Sequence, residues 1–171
     1  NFPVLVALNS VGSLSNIDYS KTQNAGQDIR FVEYNTTNLL SYEIEKWDEN
    51  GTSTIWVKLP TLSGGFGQTA FYMYYNNSLA SDGQQVASTW NANYKGVWHL
   101  DQVATATTAY ILDSTVNAWN ASSSGTGFPA STTNAAVVTA LDFDGTNDFV
   151  RTSANSSFAS NIVTVSFWLN W

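Results

Sequence analysis

The chain has 171 residues, 43% hydrophobic and 14% aromatic, enough to bury a core and to exclude intrinsic disorder. Only 11% of residues are charged, against about 25% in an average soluble domain, so Asn, Ser and Thr carry the surface polarity. A net charge of −7 with six Lys and Arg argues against a nucleic-acid ligand and an anionic membrane surface, and no run of about 18 apolar residues marks membrane insertion.

The chain opens on N-F-P-V-L-V-A-L-N, strand-like and without an initiator Met, and is read as a processed or excised part of a longer product. No long amphipathic helix follows; short apolar runs separated by Gly, Asn, Asp and Ser clusters predict an all-β sandwich. S-Y-E-I-E-K-W alternates Tyr42 and Ile44 against Glu43 and Glu45. Asn50-Gly51 then suits a tight hairpin turn, and S-T-I-W-V-K-L sets Ile55, Val57 and Leu59 on one face until Pro60 closes the strand. T-A-F-Y-M-Y-Y places Phe71, Met73 and Tyr75 opposite Ala70, Tyr72 and Tyr74. A looser segment leads to Y-K-G-V-W-H-L, with a domain boundary expected between residues 85 and 94. The Ser/Thr/Gly-rich residues 121–134 are expected to form a loop. V-V-T-A-L-D-F-D-G and F-V-R-T are expected to form two strands across a short turn, and T-V-S-F-W-L-N-W a last strand burying Val165, Phe167 and Leu169.

The runs F-P-V-L-V-A-L, D-I-R-F-V-E-Y, L-L-S-Y-E-I-E-K-W, S-T-I-W-V-K-L-P and F-Y-M-Y-Y-N-N, in that order, resemble a prokaryotic domain of unknown function, number 2341. G-V-W-H-L-D, L-D-S-T-V-N-A-W-N-A-S, A-L-D-F-D-G-T-N-D-F-V and V-T-V-S-F-W-L-N-W resemble the first half of a laminin-G-like, concanavalin-A-like jelly roll. The resemblance implies an all-β chain with a β-sandwich over residues 1–90 and a partial jelly roll over 91–171. The first family normally has one more strand before F-P-V-L-V, and the jelly roll should continue for several strands beyond Trp171. Such families are usually exported surface or secreted proteins, so the resemblance implies an exported chain with a fold linked to glycan binding, adhesion and accessory roles beside hydrolases.

Glu43, Glu45 and Asp48 copy the spacing of retaining jelly-roll glucanases, which need two carboxyl groups about 5–5.5 Å apart. The competing reading is an exposed hairpin face with Lys46 and Lys58 nearby, and no catalytic residue is assigned. D-F-D-G-T-N-D fails the EF-hand pattern, since Gly145 is fourth and Ser153 twelfth from Asp142. It reads as a turn, with Asp142, Asp144, Asn147 and Asp148 kept as candidate Ca²⁺ ligands because some jelly rolls bind calcium through loop carboxylates. Asp113 and Trp119 in D-S-T-V-N-A-W are candidate ligand-binding residues, with Asx-turn chemistry as the alternative. His99, the only histidine, has no nucleophile motif to serve, and Gly64, Gly65 and Gly67 lack the Lys and Ser/Thr of a phosphate loop. Exposed Trp and Tyr, among them Tyr72 and Tyr74, are candidates for stacking on sugars or simply for packing.

Five N-x-S/T sequons, at Asn35, Asn50, Asn76, Asn120 and Asn155, are glycosylation candidates in an exported protein. The expected function is a non-catalytic extracellular surface protein that assembles with neighbours by strand pairing. A glycan-binding module of a larger secreted protein is the alternative. The expected partners are copies of the chain, completing Asn1–Asn9 and Thr164–Trp171, or the continuation of its own polypeptide, with glycans as possible ligands.

Overall fold

The computed structural model describes residues 1–10, 16–64, 69–102, 111–123, 127–152 and 162–170. It divides into two compact units, Asn1–Asn91 and Ala92–Trp171. Among the described residues, every sheet is antiparallel and the helical content is one 3₁₀ turn and one helical turn, so the fold is all-β, with long strands in the first unit and only short ones in the second.

In the first unit, β1 (Phe2–Asn9), β5 (Thr52–Leu59) and β4 (Tyr42–Lys46) form one sheet in that order. A second sheet has the order β3 (Leu39–Leu40), β2 (Arg30–Glu33), β6 (Phe71–Tyr74). β1 pairs with β5 along its whole length, from Phe2 opposite Leu59 to Asn9 opposite Thr52. The chain changes sheets at Ser41, between β3 and β4, and the Ser41 carbonyl accepts the Lys58 N–H at 2.9 Å. Leu8, Ile55, Val57, Leu59 and Tyr42 from the first sheet meet Phe31 and Leu40 from the second in one core, a sandwich-like arrangement. Ile55, Val57 and Leu59 therefore do share the buried face that their alternation predicts. Fully burying such side chains stabilises the unit by about 1.5–3 kcal/mol each.

A β-bulge interrupts β4: Ile44 pairs with Ile55, whereas Lys46, not Glu45, opposes Thr54. The free edge of β4 is covered by the segment leading into a single helical turn, α1 (Val86–Thr89). There the Gln85 N–H donates to the Tyr42 carbonyl at 3.1 Å, and the Gln84 side-chain oxygen accepts the Ile44 N–H at 2.7 Å. Such cover removes the unpaired backbone groups that make sheet edges sticky. A 3₁₀ turn (Tyr19–Lys21) buries Tyr19, whose hydroxyl bonds the Leu8 carbonyl and Ser53 Oγ.

The second unit is built from short pairs. β7 (Ala121–Ser122) pairs with β10 (Arg151–Thr152), and β8 (Ala130–Thr132) with β9 (Ala140–Asp142). Single bridges join Trp98 to Asp113 and Ile111 to Ala121. Ile111, Ala121 and Leu141 form a small core with Trp98, Leu100 and Val150 packed on it.

Three sequence expectations are corrected here. Residues 121–134 are not all loop, because β7 and β8 lie within them. A-L-D and R-T do not form one hairpin, since β9 turns back to β8 and β10 to β7. The physical reason is common to both: a strand is defined by its ladder partner, which a Ser/Thr-rich composition does not disclose. Finally, Ile162–Asn170 is assigned no strand, and Val165, Phe167 and Leu169 are exposed, not buried. Trp171 lies outside the described residues, as do Gly65 and Gly67.

Candidate functional site

The carboxylates nominated on β4 are held by indoles. Glu43 is buried, contrary to an exposed hairpin face, and its Oε2 accepts the Trp90 Nε1–H at 2.7 Å. Glu45 accepts the Trp56 Nε1–H. The two indoles lie 5.4 Å apart between ring centres, tilted by 56°, so one aromatic pair holds both acids. Asp48 sits in the turn beyond β4, paired with Lys46 at 2.8 Å and accepting the Asn50 N–H. These side-chain bonds from Lys46, ahead of the Asn50 and Gly51 N–H groups, hold its carboxyl below the usual range. Lys58 reaches the Ser88 carbonyl instead of an acid.

Asp113 is the organising residue of the second unit. It is buried, and its two oxygens accept the N–H groups of Val97 (2.9 Å), Thr115 (3.0 Å) and Trp119 (2.9 Å) and the Thr115 hydroxyl (2.9 Å). Its own N–H donates to Asn120 Oδ1 at 2.9 Å. This is Asx-turn chemistry extended into a four-donor knot. The Trp119 carbonyl accepts the Trp98 Nε1–H at 2.9 Å and the Thr152 hydroxyl at 3.3 Å, tying the same knot to β10.

In the 142–148 turn, Asp144 Oδ1 accepts the N–H groups of Thr146 and Asn147, and Asp148 Oδ2 accepts the Asp144 N–H. The Thr146 and Asn147 N–H groups hold the Asp144 carboxyl below its ordinary value. Gly145, at φ +71°, takes the left-handed position that the reversal needs. Asp142 is exposed at the end of β9. Of the flanking apolar residues, Leu141 is buried and Val150 half-buried, while Phe143 and Phe149 stay exposed. Among the described residues, no group of three or more His, Cys, Asp or Glu is placed to hold a metal ion. His99 is half-buried.

Of the sequon asparagines, Asn35, Asn50 and Asn76 are exposed, and Asn120 is half-buried with its side chain committed to Asp113. Asn155 lies outside the described residues.

Two further features stand out: one that the sequence does not announce, and one of which it shows only the Tyr72 and Tyr74 part, without Tyr34. The first is Asp28, a buried carboxylate that accepts the N–H groups of Gln23 (2.8 Å), Asn76 (2.8 Å) and Asn77 (3.2 Å). Burial pushes its carboxyl up, but the three N–H groups outweigh that and hold it below the ordinary value. Beside it, Tyr42 donates its hydroxyl to the Ile29 carbonyl at 2.8 Å, and burial pushes the phenol up to about 12. The second is a strip of tyrosines on the outer face of the β3-β2-β6 sheet. Tyr34, Tyr72 and Tyr74 are 49%, 44% and 56% exposed, so each offers about half its surface to solvent. Ring centres lie 5.5 Å apart for Tyr34 and Tyr72 and 6.3 Å for Tyr72 and Tyr74. The alternation of F-Y-M-Y was the available signal, because Phe71 and Met73 pack on the core and leave Tyr72 and Tyr74 outward.

Among the described residues, no helix is long and apolar enough to cross a membrane. No curated protein and no solved structure matches the chain. The model of one family, described as a domain of unknown function (DUF2341), matches residues 25–122. The match starts downstream of β1 and runs past the first unit into the segment that holds the Asp113 knot. It covers more than half of the chain, which therefore belongs to the DUF2341 family.

Proposed function

We propose that this protein is a non-catalytic extracellular surface protein, a structural or adhesive subunit that assembles with neighbouring copies by β-strand pairing. One observation carries the reading: along Ile162–Asn170 the apolar side chains stand exposed, Val165, Phe167 and Leu169 at 75%, 71% and 72% on one side of a period-two pattern and Trp168 at 83% on the other. A contiguous exposed apolar stretch of this kind marks an interaction surface in a soluble protein. Its period of two makes a β-strand the matching cover, since pairing satisfies the backbone while the apolar side chains enter a shared core. The laminin-G-like reading of the second unit also calls for strands as the cover, supplied by a neighbouring copy or by the continuation of the same polypeptide.

A non-catalytic role is supported by the employment of the acids, with Glu43, Glu45, Asp48 and Asp113 each engaged in holding the fold. The exposed sequons at Asn35 and Asn76 are reachable for modification, in keeping with an exported protein. Sedimentation velocity over a wide concentration range tests the proposal. The wild-type chain should associate as concentration rises, and Phe167→Asp with Val165→Asp should abolish association while circular dichroism stays unchanged. A wild-type chain that remains a monomer throughout, or a double variant that associates equally, would overturn it.

A further inference from the structure

We infer that the outer face of the β3-β2-β6 sheet is a binding platform for a linear, neutral polysaccharide, with the rings of Tyr34, Tyr72 and Tyr74 stacking on successive sugars. This site is built within the first unit alone and does not depend on assembly.

The register builds the platform. Leu39, Val32 and Tyr72 are cross-strand neighbours on β3, β2 and β6, and Tyr74 lies opposite Arg30. Phe31, Leu40 and Met73 take the alternate positions and face the core, so Tyr72 and Tyr74 cannot turn inward without breaking the register, while Tyr34, in the turn just after β2, joins them by its ring contact with Tyr72. Tyrosine spends little conformational entropy when it is covered, and on the paired strand β6 the rings of Tyr72 and Tyr74 are already oriented. The three rings follow one another along the face with tilts of 34° and 56°, a run of half-exposed aromatic surfaces. Sugars match that pattern, since a pyranose ring has a C–H face to lie on an aromatic ring and hydroxyls around its rim.

The end of the strip supplies polar contacts. A cleft of about 190 Å³ opens beside Tyr74, lined also by Asp28, Arg30, Tyr75 and Asn77. It is smaller than the roughly 300–1,000 Å³ typical of enclosed ligand pockets, so it suits one ring at the end of a longer chain. Both charges in it are already answered. Asp28 accepts its three backbone N–H groups, and the Arg30 guanidinium donates to the carbonyls of Gln27 (2.9 Å), Ile29 (2.6 Å) and Ser81 (2.8 Å). With one acid and one base of opposite sign, and both engaged by backbone groups, the cleft is polar without net charge, which favours a neutral ligand. A chain of net charge −7 disfavours an anionic one.

Size argues against a second copy as the occupant. Half-exposed tyrosines together with Leu39 offer roughly 400 Å², about half of the 800 Å² per partner that a stable protein interface buries. An added peptide strand would pair along a sheet edge, which leaves this face uncovered.

The test is affinity electrophoresis of the full chain in gels containing neutral xyloglucan, galactomannan, laminarin or dextran, with alginate as the anionic comparison. The wild-type chain should be retarded by at least one neutral polymer and not by alginate alone. Tyr72→Ala should weaken that retardation about tenfold or more, with Tyr34→Ala and Tyr74→Ala also weakening it. Circular dichroism and melting of each variant separate loss of the site from loss of the fold, and the outward position of the rings predicts folded proteins. No retardation by any neutral polymer, or retardation by alginate alone, would overturn the platform. Retardation equal in wild type and Tyr72→Ala would place glycan binding elsewhere on the chain and overturn this site. Loss of self-association in Tyr72→Ala, without a change in retardation, would assign the strip to a copy of the chain and overturn it too.

Discussion

Trp90 and Glu43 are 47 residues apart in sequence and joined by one buried hydrogen bond, indole N–H to carboxylate, at 2.7 Å. The bond fixes the segment after α1 across the outer face of β4 and keeps Trp90 against Trp56. Trp90→Phe preserves most of the packing and deletes the donor, so it should cost about 1–3 kcal/mol. Glu43→Gln keeps an acceptor oxygen and should cost less than Glu43→Ala. Urea unfolding followed by tryptophan fluorescence checks both. Equal midpoints for wild type, Trp90→Phe and Glu43→Ala would show that the bond contributes nothing.

Asp28 should make the first unit acid-sensitive. Its folded-state carboxyl titrates below the ordinary value of 3.8, because the N–H groups of Gln23, Asn76 and Asn77 outweigh burial. A depressed carboxyl binds fewer protons folded than unfolded, so its stabilisation is full above the unfolded value and is lost as pH falls through the folded one. Asp28→Asn removes the titration and faces an amide donor toward N–H groups. It should lower stability near neutral pH by about 2 kcal/mol and flatten the decline between about pH 5 and pH 2. Urea midpoints measured across that window decide the matter. A slope in Asp28→Asn as steep as in wild type would remove Asp28 from the acid response.

The contrast between Asp28 and Asp113 explains what the sequence discloses. Asp113 has donors at Thr115 and Trp119, close enough that D-S-T-V-N-A-W already suggests a side chain bonding its own loop. Asp28 draws two donors from Asn76 and Asn77, and Glu43 draws its partner from Trp90, separations that no local pattern encodes. The same division runs through the strands. β4, β5 and β6 announce themselves by alternation, and Asn50-Gly51 with Pro60 brackets β5. β7 and β8 are too short and too rich in small polar residues to stand out from loop composition. The tyrosine strip is legible as an alternation but not as a surface, because its exposure depends on what else covers the sheet.

For Asp113 itself the consequence is a large effect from one atom group. Asp113→Ala strands the N–H groups of Val97, Thr115 and Trp119 in a buried turn, and the second unit has a small core with which to absorb the loss. The substitution should destabilise that unit by about 3 kcal/mol. Asp113→Asn, which keeps one acceptor oxygen, should recover part of it. Hydrogen exchange at Val97, Thr115 and Trp119 reads the effect directly. Protection at those amides unchanged in Asp113→Ala would remove the residue from its organising role.

Two left-handed backbone positions should respond in opposite directions. Gly26 has φ +68°, and a Cβ there would meet Trp47 Cε3 at 2.6 Å, so Gly26→Ala suffers both strain and a clash with a packed indole. It should destabilise the first unit by about 2 kcal/mol or more, because Trp47 stacks edge-on against Tyr19 at 5.2 Å and cannot move without disturbing the core. Ala118 has φ +50° in the turn that closes the Asp113 knot, where its N–H donates to the Thr115 carbonyl at 3.2 Å. A left-handed alanine costs about 1–2 kcal/mol, and Ala118→Gly relieves this against about 0.5–1 kcal/mol of added unfolded-chain entropy. The net expectation is a gain of about 0.5 kcal/mol, visible as a small rise in the melting temperature of the second unit. A loss of stability in Ala118→Gly, or none in Gly26→Ala, would mean that backbone conformation at these turns does not set their energetics.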